Sequence, residues 1–240
     1  MSIRPPRAML LAAGLGLRLR PLTLDRPKAM VEVAGRTLID RALDRIEEAG
    51  VETVVVNLHY KGTSLRRHLE QRKHPTILFS DETEQLLETG GGIAKALPLL
   101  GPAPFHAVNC DVIWRDSQAN ALLRLGDRWD DAAMDALLLQ QATVTAIGYS
   151  GMGDFNMDAV GRLTRRPEGF VVPFVFTGIQ LLHPRLFDRC PPGAFSLNRL
   201  YDRAAEQGRL FGLLHEGDWM DVGTPAGLRA AEAAIGPKRQ

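Results

Sequence analysis

Apolar residues along this chain fall into two rhythms that alternate through its first half. Residues 8–12 (AMLLA) form a short unbroken apolar run ending in glycines, as a strand buried on both faces requires. From Leu38 the rhythm changes, and Leu38, Ala42, Leu43, Ile46 and Ala49 recur at helical spacing. Thr37 and Asp40 form a capping box ahead of them, with aspartate in the acidic role, and Gly50 suits the position just past the last turn. Residues 53–58 (TVVVNL) are a β-branched run that predicts a second buried strand. A polar helix over 64–72, a strand near 76–80, a helix ending at Pro98 and a strand over 105–111 continue the alternation. Such repetition predicts a mostly parallel sheet with helices on both faces.

The second half is less regular. Residues 116–128 read as a helix, 136–140 as either element, and 174–182 as a strong strand. Residues 196–207 are amphipathic, with Leu197, Leu200, Tyr201, Ala204 and Ala205 on one side. Two short strands over 210–214 and 219–222 follow, and a helix from Pro225 closes the pattern. No repeat, low-complexity stretch or linker interrupts it, so residues 1–240 read as one domain without an appended catalytic unit. The alternating part, residues 1–115, and the less regular part, residues 116–240, are its two halves.

Composition narrows the classes. With 45% hydrophobic and 24% charged residues the chain is an ordinary globular protein. A net charge of +1 gives no electrostatic case for a nucleic-acid or membrane partner. Cys110 and Cys190 lie too far apart for a metal motif and form no disulfide framework, which fits a reducing cytoplasm. The opening superficially resembles a secretory signal, since Arg4 and Arg7 precede an apolar run. Arg18, Arg20 and Pro21 break that run where a cleavage site would be needed, and no stretch reaches the length of a bilayer span. A cytoplasmic monomer or small homo-oligomer is expected.

Four stretches hold candidate chemistry. Gly14 and Gly16 follow the first strand, where missing Cβ atoms let backbone N–H groups approach phosphate oxygens. Leu19 stands where a dinucleotide fingerprint needs glycine, and the Gly-Lys-Ser/Thr of a Walker loop is absent. Arg18 can grip a polyphosphate bidentately, and Lys28 can add a compact charge. Taken alone, this pattern is weak, and a glycine turn with solvated surface arginines is the favoured reading. Asn109 and Asp111 end a predicted parallel strand, where open α/β sheets place ligands and where a carboxylate suits Mg²⁺. Residues 218–225 (DWMDVGTP) bring further acids, and 86–92 (LLETGGG) open a helix with three glycines.

The string LAAGLGLRLRPLTLDRPKAM over residues 11–30 resembles the signature of the sugar-1-phosphate nucleotidylyltransferases almost position for position. The resemblance implies a Rossmann-like three-layer α/β/α sandwich, the nucleotide-diphospho-sugar transferase fold. Its substrates would be a nucleoside triphosphate and a sugar 1-phosphate, joined with release of pyrophosphate. It assigns Leu11, Ala12, Ala13 and Gly14 to the base, Gly16 and Arg18 to the triphosphate, and Lys28 to the reacting phosphates. Asp111 and Asp221 would hold Mg²⁺. Asn109, Glu88, Thr89 and Gly90 become nucleoside contacts, with Glu82 and Thr83 near the place of a base-binding Gln that this chain lacks. Leu17 replaces the Thr or Ser that relatives carry before the arginine.

Within the family, LETGGGIAKALPLL, GDFNMD and FSLN look most like the branch that uridylates N-acetylmuramate 1-phosphate in cell-wall recycling. Asn156, Gly178, Asn198 and Trp219 are then the candidates for the sugar. A guanylyltransferase acting on mannose 1-phosphate is the alternative. A non-catalytic nucleotide-sugar sensor is the reading from another class, and the joint presence of Arg18, Lys28, Asp111 and Asp221 weighs against it.

Overall fold

The computed structural model describes residues 2–236. Strand β1 (Arg7–Leu11) leads through a loop and a small hairpin, β2 (Glu32–Val33) and β3 (Arg36–Thr37), into helix α1 (Leu38–Glu48). Then β4 (Thr53–Leu58), α2 (Gly62–Leu69), β5 (Thr76–Asp81), α3 (Glu88–Leu100) and β6 (Phe105–Asn109) complete the alternating half. The order β6-β1-β4-β5 is parallel throughout, so all four strands run out at the same edge.

Beyond β6 the chain changes style. A turn at Cys110–Asp111 separates β6 from β7 (Val112–Arg115), where the sequence predicts one strand running through residue 111. Helix α4 (Ala121–Arg128) starts later than its apolar pattern predicts, because the Asn120 side chain caps it by accepting from Leu122 N and Leu123 N. The ambiguous run is strand β8 (Ala136–Ala142). Short strands β9 (Phe155–Met157) and β10 (Leu163–Arg165) follow, and then β11 (Phe174–Leu182). Next come α5 (Asn198–Glu206), β12 (Leu210–Leu214), β13 (Asp218–Asp221) and α6 (Pro225–Ile235). β11 enters antiparallel to β6, β8 and β9, and β12 pairs parallel to β8, giving nine strands in the main sheet among the described residues.

The sheet is covered on both sides, which explains the unbroken apolar runs. Ala8 and Leu10 of β1 pack toward α1, α2 and α4, while Met9 packs toward α3 and α5. Thr37 caps α1 as predicted, its hydroxyl accepting from Asp40 N at 3.2 Å. A third small core lies under a separate two-stranded ribbon, β7 against β13, where Ile113, Met220, Val222 and Leu228 meet. No helix among the described residues is long and apolar enough to cross a membrane.

Leu43 is fully buried in the core between α1 and the sheet. Leu43→Ala should cost about 2–5 kcal/mol in urea unfolding, whereas an alanine at exposed Val144 should change stability by less than about 0.5 kcal/mol.

Candidate active site

The cleft opens beyond the ends of β1 and β6, and its shape begins with one buried amide. Asn57, near the end of β4, accepts hydrogen bonds from Ala12 N at 2.7 Å and Ala13 N at 3.3 Å. Its own NH₂ donates to Glu82 Oε1 at 2.8 Å, and Glu82 Oε2 accepts from Leu87 N at 3.2 Å. The first loop is thereby tied to the loop before α3. Asn57 is absent from the residues that the motifs single out, although a lone amide inside a β-branched strand is a signal, since a buried polar group needs partners.

The glycine loop then turns sharply. Gly16 has φ +64°, and a Cβ there would meet Thr23 Cγ2 at 2.9 Å and Lys28 Cβ at 3.1 Å. Thr23 is fully buried and donates its hydroxyl hydrogen to Gly16 O at 2.8 Å. Gly14 has open space where its Cβ would be. Together with Leu11, Ala13, Leu15 and Leu17 this loop walls a cleft of about 420 Å³, within the range of small-molecule sites.

The charged groups gather on the opposite wall. Lys28 Nζ lies 2.5 Å from Asp111 Oδ2, with both side chains largely buried. Asp111 O accepts from Val222 N at 3.1 Å, which locks the start of β7 to the end of β13 and sets Asp221 beside Asp111. Asp221 Oδ1 accepts from Gly223 N at 2.8 Å. A Cβ on Gly223 would lie 2.6 Å from Arg18 Nη2 and 2.9 Å from Asp221 Oδ1, so the guanidinium faces this carboxylate across a bare glycine. Burial, and then the Asp111 charge, push the Asp221 carboxyl upward against the Gly223 N–H and the Arg18 and Lys28 charges. A divalent cation suits such a pair. It offsets their repulsion and takes its remaining ligands from phosphate and water, so two protein carboxylates suffice. Cys110 also lines the cleft, but burial and then the Asp111 charge push its thiol up to about 12, so it stays protonated.

The other candidates divide between the cleft and its surroundings. Arg18, Lys28, Glu88, Thr89, Asn109 and Asp111 line the cleft. Glu82 is 1% exposed and spends its carboxylate on Asn57 and Leu87 N, so it supports the loop from behind. Thr83 is exposed and bonds back to Asp81. Ala12 is buried behind the loop. Gly90 and Gly91 donate their N–H groups to Phe195 O at 2.9 and 3.2 Å. Gly90 and Gly91 therefore let α3 pack against the 193–195 segment rather than presenting free N–H groups to a phosphate, while Gly92 lies against Glu82 and Asn57. Trp219 is 3% exposed, donates to Thr177 O at 2.9 Å and meets Tyr149 edge-on, which leaves no face for a sugar. Asn156 on β9 and Asn198 at the start of α5 are exposed away from the cleft walls. Gly178 has φ +79° at the register shift of β11, and its Cβ position lies 2.9 Å from Asn109 Nδ2. It thus abuts a residue that lines the cleft.

A glycine loop over parallel strand ends, facing paired carboxylates and two cations, defines a nucleotide-handling α/β protein. The family model described as Nucleotidyl transferase matches residues 7–237, and the chain belongs to that family. It is 44% identical to the N-acetylmuramate alpha-1-phosphate uridylyltransferase of Caulobacter vibrioides, over 98% of this chain and 99% of that one. It is 34% identical to the enzyme of the same name from Neisseria meningitidis serogroup B, over 96% and 98%. A mannose-1-phosphate guanylyltransferase of Oryza sativa is more distant, at 31% over 91% of this chain and 62% of that one. Among solved structures, UDP-glucose pyrophosphorylase complexed with UDP-glucose has the same fold, with TM-score 0.76 and 18% identity over 95% and 97% of the chains.

Gly223→Ala tests the charged wall. The methyl group would displace only the tip of Arg18 and the Asp221 carboxylate, so the fold should survive while kcat/KM for nucleotidyl transfer falls about a hundredfold. Unfolding in urea and steady-state pyrophosphate release check the two halves of this expectation.

Proposed function

We propose that the protein transfers a uridylyl group from UTP to N-acetylmuramate 1-phosphate, releasing pyrophosphate. One observation carries the reaction type. Arg18 and Lys28, from the first loops, line one cleft with Asp111, and Asp221 lies just behind them beside Gly223. The choice of substrates is supported by full-length likeness to two uridylyltransferases.

In this reading an anionic oxygen of the sugar phosphate attacks the α-phosphorus of UTP in line. The new P–O bond forms as the α–β bridging oxygen departs with its electron pair in pyrophosphate. No proton has to move, and no group of the protein becomes covalently attached. The residues act by position and charge. Lys28, held by Asp111, neutralises the α-phosphate and the attacking phosphate where they converge. Arg18 takes up charge growing on the pyrophosphate. Asp111 and Asp221 would hold Mg²⁺, which when bound reduces repulsion between the phosphates. Leu11, Ala13 and Gly14 provide the flat wall for the base, with Glu88 and Thr89 opposite, and Asn109 beside Gly178 lies toward the sugar.

A panel of UTP, GTP, CTP and dTTP against N-acetylmuramate, mannose and glucose 1-phosphates, read by pyrophosphate release, tests the proposal. UTP with N-acetylmuramate 1-phosphate should give the highest kcat/KM. A higher value for GTP with mannose 1-phosphate would replace it by the guanylyltransferase reading, and binding without turnover would favour a sensor.

Asp221→Asn is the cleaner metal test. Asp111→Asn would also strip Lys28 of its partner, whereas the carboxamide oxygen introduced by Asp221→Asn can still accept from Gly223 N. Turnover should drop by about 10²–10³ with the unfolding midpoint retained. Lys28→Ala should lower kcat by a similar factor. A rise in nucleotide KM at unchanged kcat would instead assign Lys28 to ground-state binding.

A further inference from the structure

A second cavity lies on another face, and its walls carry a surplus of positive charge. Its volume is about 170 Å³, below the range of nucleotide-sized sites and ample for one small anion with water. Arg36, Arg41, Arg45 and Arg115 line it, against only Asp44 and Glu48. The acids are already engaged. Asp44 pairs with Arg36 and with Arg72 behind it, and Glu48 pairs with Arg45 at 2.7 Å.

Arg41 is the unusual member. Its Nη2 donates to Val33 O at 2.6 Å, and it forms no ion pair among the described residues. Burial, then the charges of Arg36, Arg115 and Arg45, weigh against its guanidinium, with Asp44 alone of the nearby groups favouring it. Three buried donors on these walls also lack an acceptor: Arg41 Nε, Arg115 Nε and the indole Nε1 of Trp114. Trp114 is 3% exposed, so its N–H lies inside the protein. Water can accept from those donors, yet it gives the Arg41 charge no counter-ion, since Arg36, Arg45 and Arg115 already pair with Asp44, Glu48 and Asp218. An anion does both.

We infer that this cavity is a binding site for a phosphate-class anion, separate from the catalytic cleft. Arg36 and Arg45 pair with Asp44 and Glu48, and Arg115 pairs with Asp218 at 3.2 Å, so the charge of Arg41 is left over; it matches a phosphate monoanion, and arginine forks fit tetrahedral oxyanions. The seat joins α1, the hairpin β2–β3, β7 and the end of α6, since Ala234 O accepts from Arg115 at 2.9 Å. The anion is either free orthophosphate or the phosphoryl group of a small metabolite.

Calorimetric titration of the full chain, with UTP saturating the cleft and no sugar 1-phosphate present, tests the site with inorganic phosphate and with glucose 6-phosphate. One equivalent should bind, and Arg41→Gln should weaken it at least about tenfold. The double variant Arg36→Glu/Arg45→Glu changes only outer groups and should weaken it as much, so the test does not depend on replacing the half-buried Arg41. Binding of phosphate alone would indicate a site for the free ion. Comparable binding of glucose 6-phosphate would indicate recognition of a phosphoryl group on a larger molecule. Absence of binding by both probes, binding that persists in both variants, or binding seen only when UTP is omitted would overturn the assignment.

Discussion

The carboxamide of Asn57 stands where the parallel strands run out, and its two ends meet different obligations. Its carbonyl oxygen receives the first two N–H groups after β1, and its NH₂ holds a buried carboxylate, Glu82, that in turn receives Leu87 N. Each group satisfies another that would be costly to leave unpaired at such burial. The consequence is geometric. The glycine loop, β4 and the entry to α3 are fixed to one another, and the space between them is the cleft. Gly92 belongs to the same arrangement, since a Cβ there would lie 2.7 Å from Glu82 Oε1.

With the apolar wall fixed, the charged wall solves a separate problem. Two carboxylates must sit beside a site for several phosphates without protein cations neutralising them permanently. The structure divides the task. Asp111 is paired with Lys28, while Asp221 is held by a backbone N–H and only faced by Arg18. One acid is therefore balanced by an ammonium within the protein, and the other has a backbone N–H as its direct partner. Because Asp221 comes from the last third of the chain and Asp111 from its middle, the second half supplies part of the charged wall.

Much of this architecture was legible in the residues. Buried β4 is written in TVVVNL with its observed ends, the Thr37 cap marks the start of α1, and the alternation of strands and helices gives the parallel half. The resemblance over residues 11–30 pointed to the loop, Arg18 and Lys28, all of which line one cleft. What escaped depends on contacts between distant segments. Nothing in VIWR tells that β7 leaves the main sheet after Asp111 to pair with β13, since its apolar residues continue those of β6. The glycines of LLETGGG suit a phosphate site equally well until Phe195 O is seen to take two of their N–H groups. Trp219 illustrates the same limit. An indole beside a motif acid suggests stacking on a ligand, but strand alternation turns it to the opposite face from Met220, into the core.

The β7–β13 ribbon gives the two charged regions a common frame. Asp111 and Asp221 stand at one end, where Asp221 pairs in register with Val112. Arg115 stands at the other end, opposite Asp218. The ribbon is too short to bend freely within four residues, and its inner face is clamped by Ile113 and Met220 on the small core beneath α6. The same four-residue pairing therefore carries the two carboxylates at one end and a member of the arginine cluster at the other. The arginine pocket and the cleft share no lining residue, so what they have in common is this ribbon and the small core that holds it.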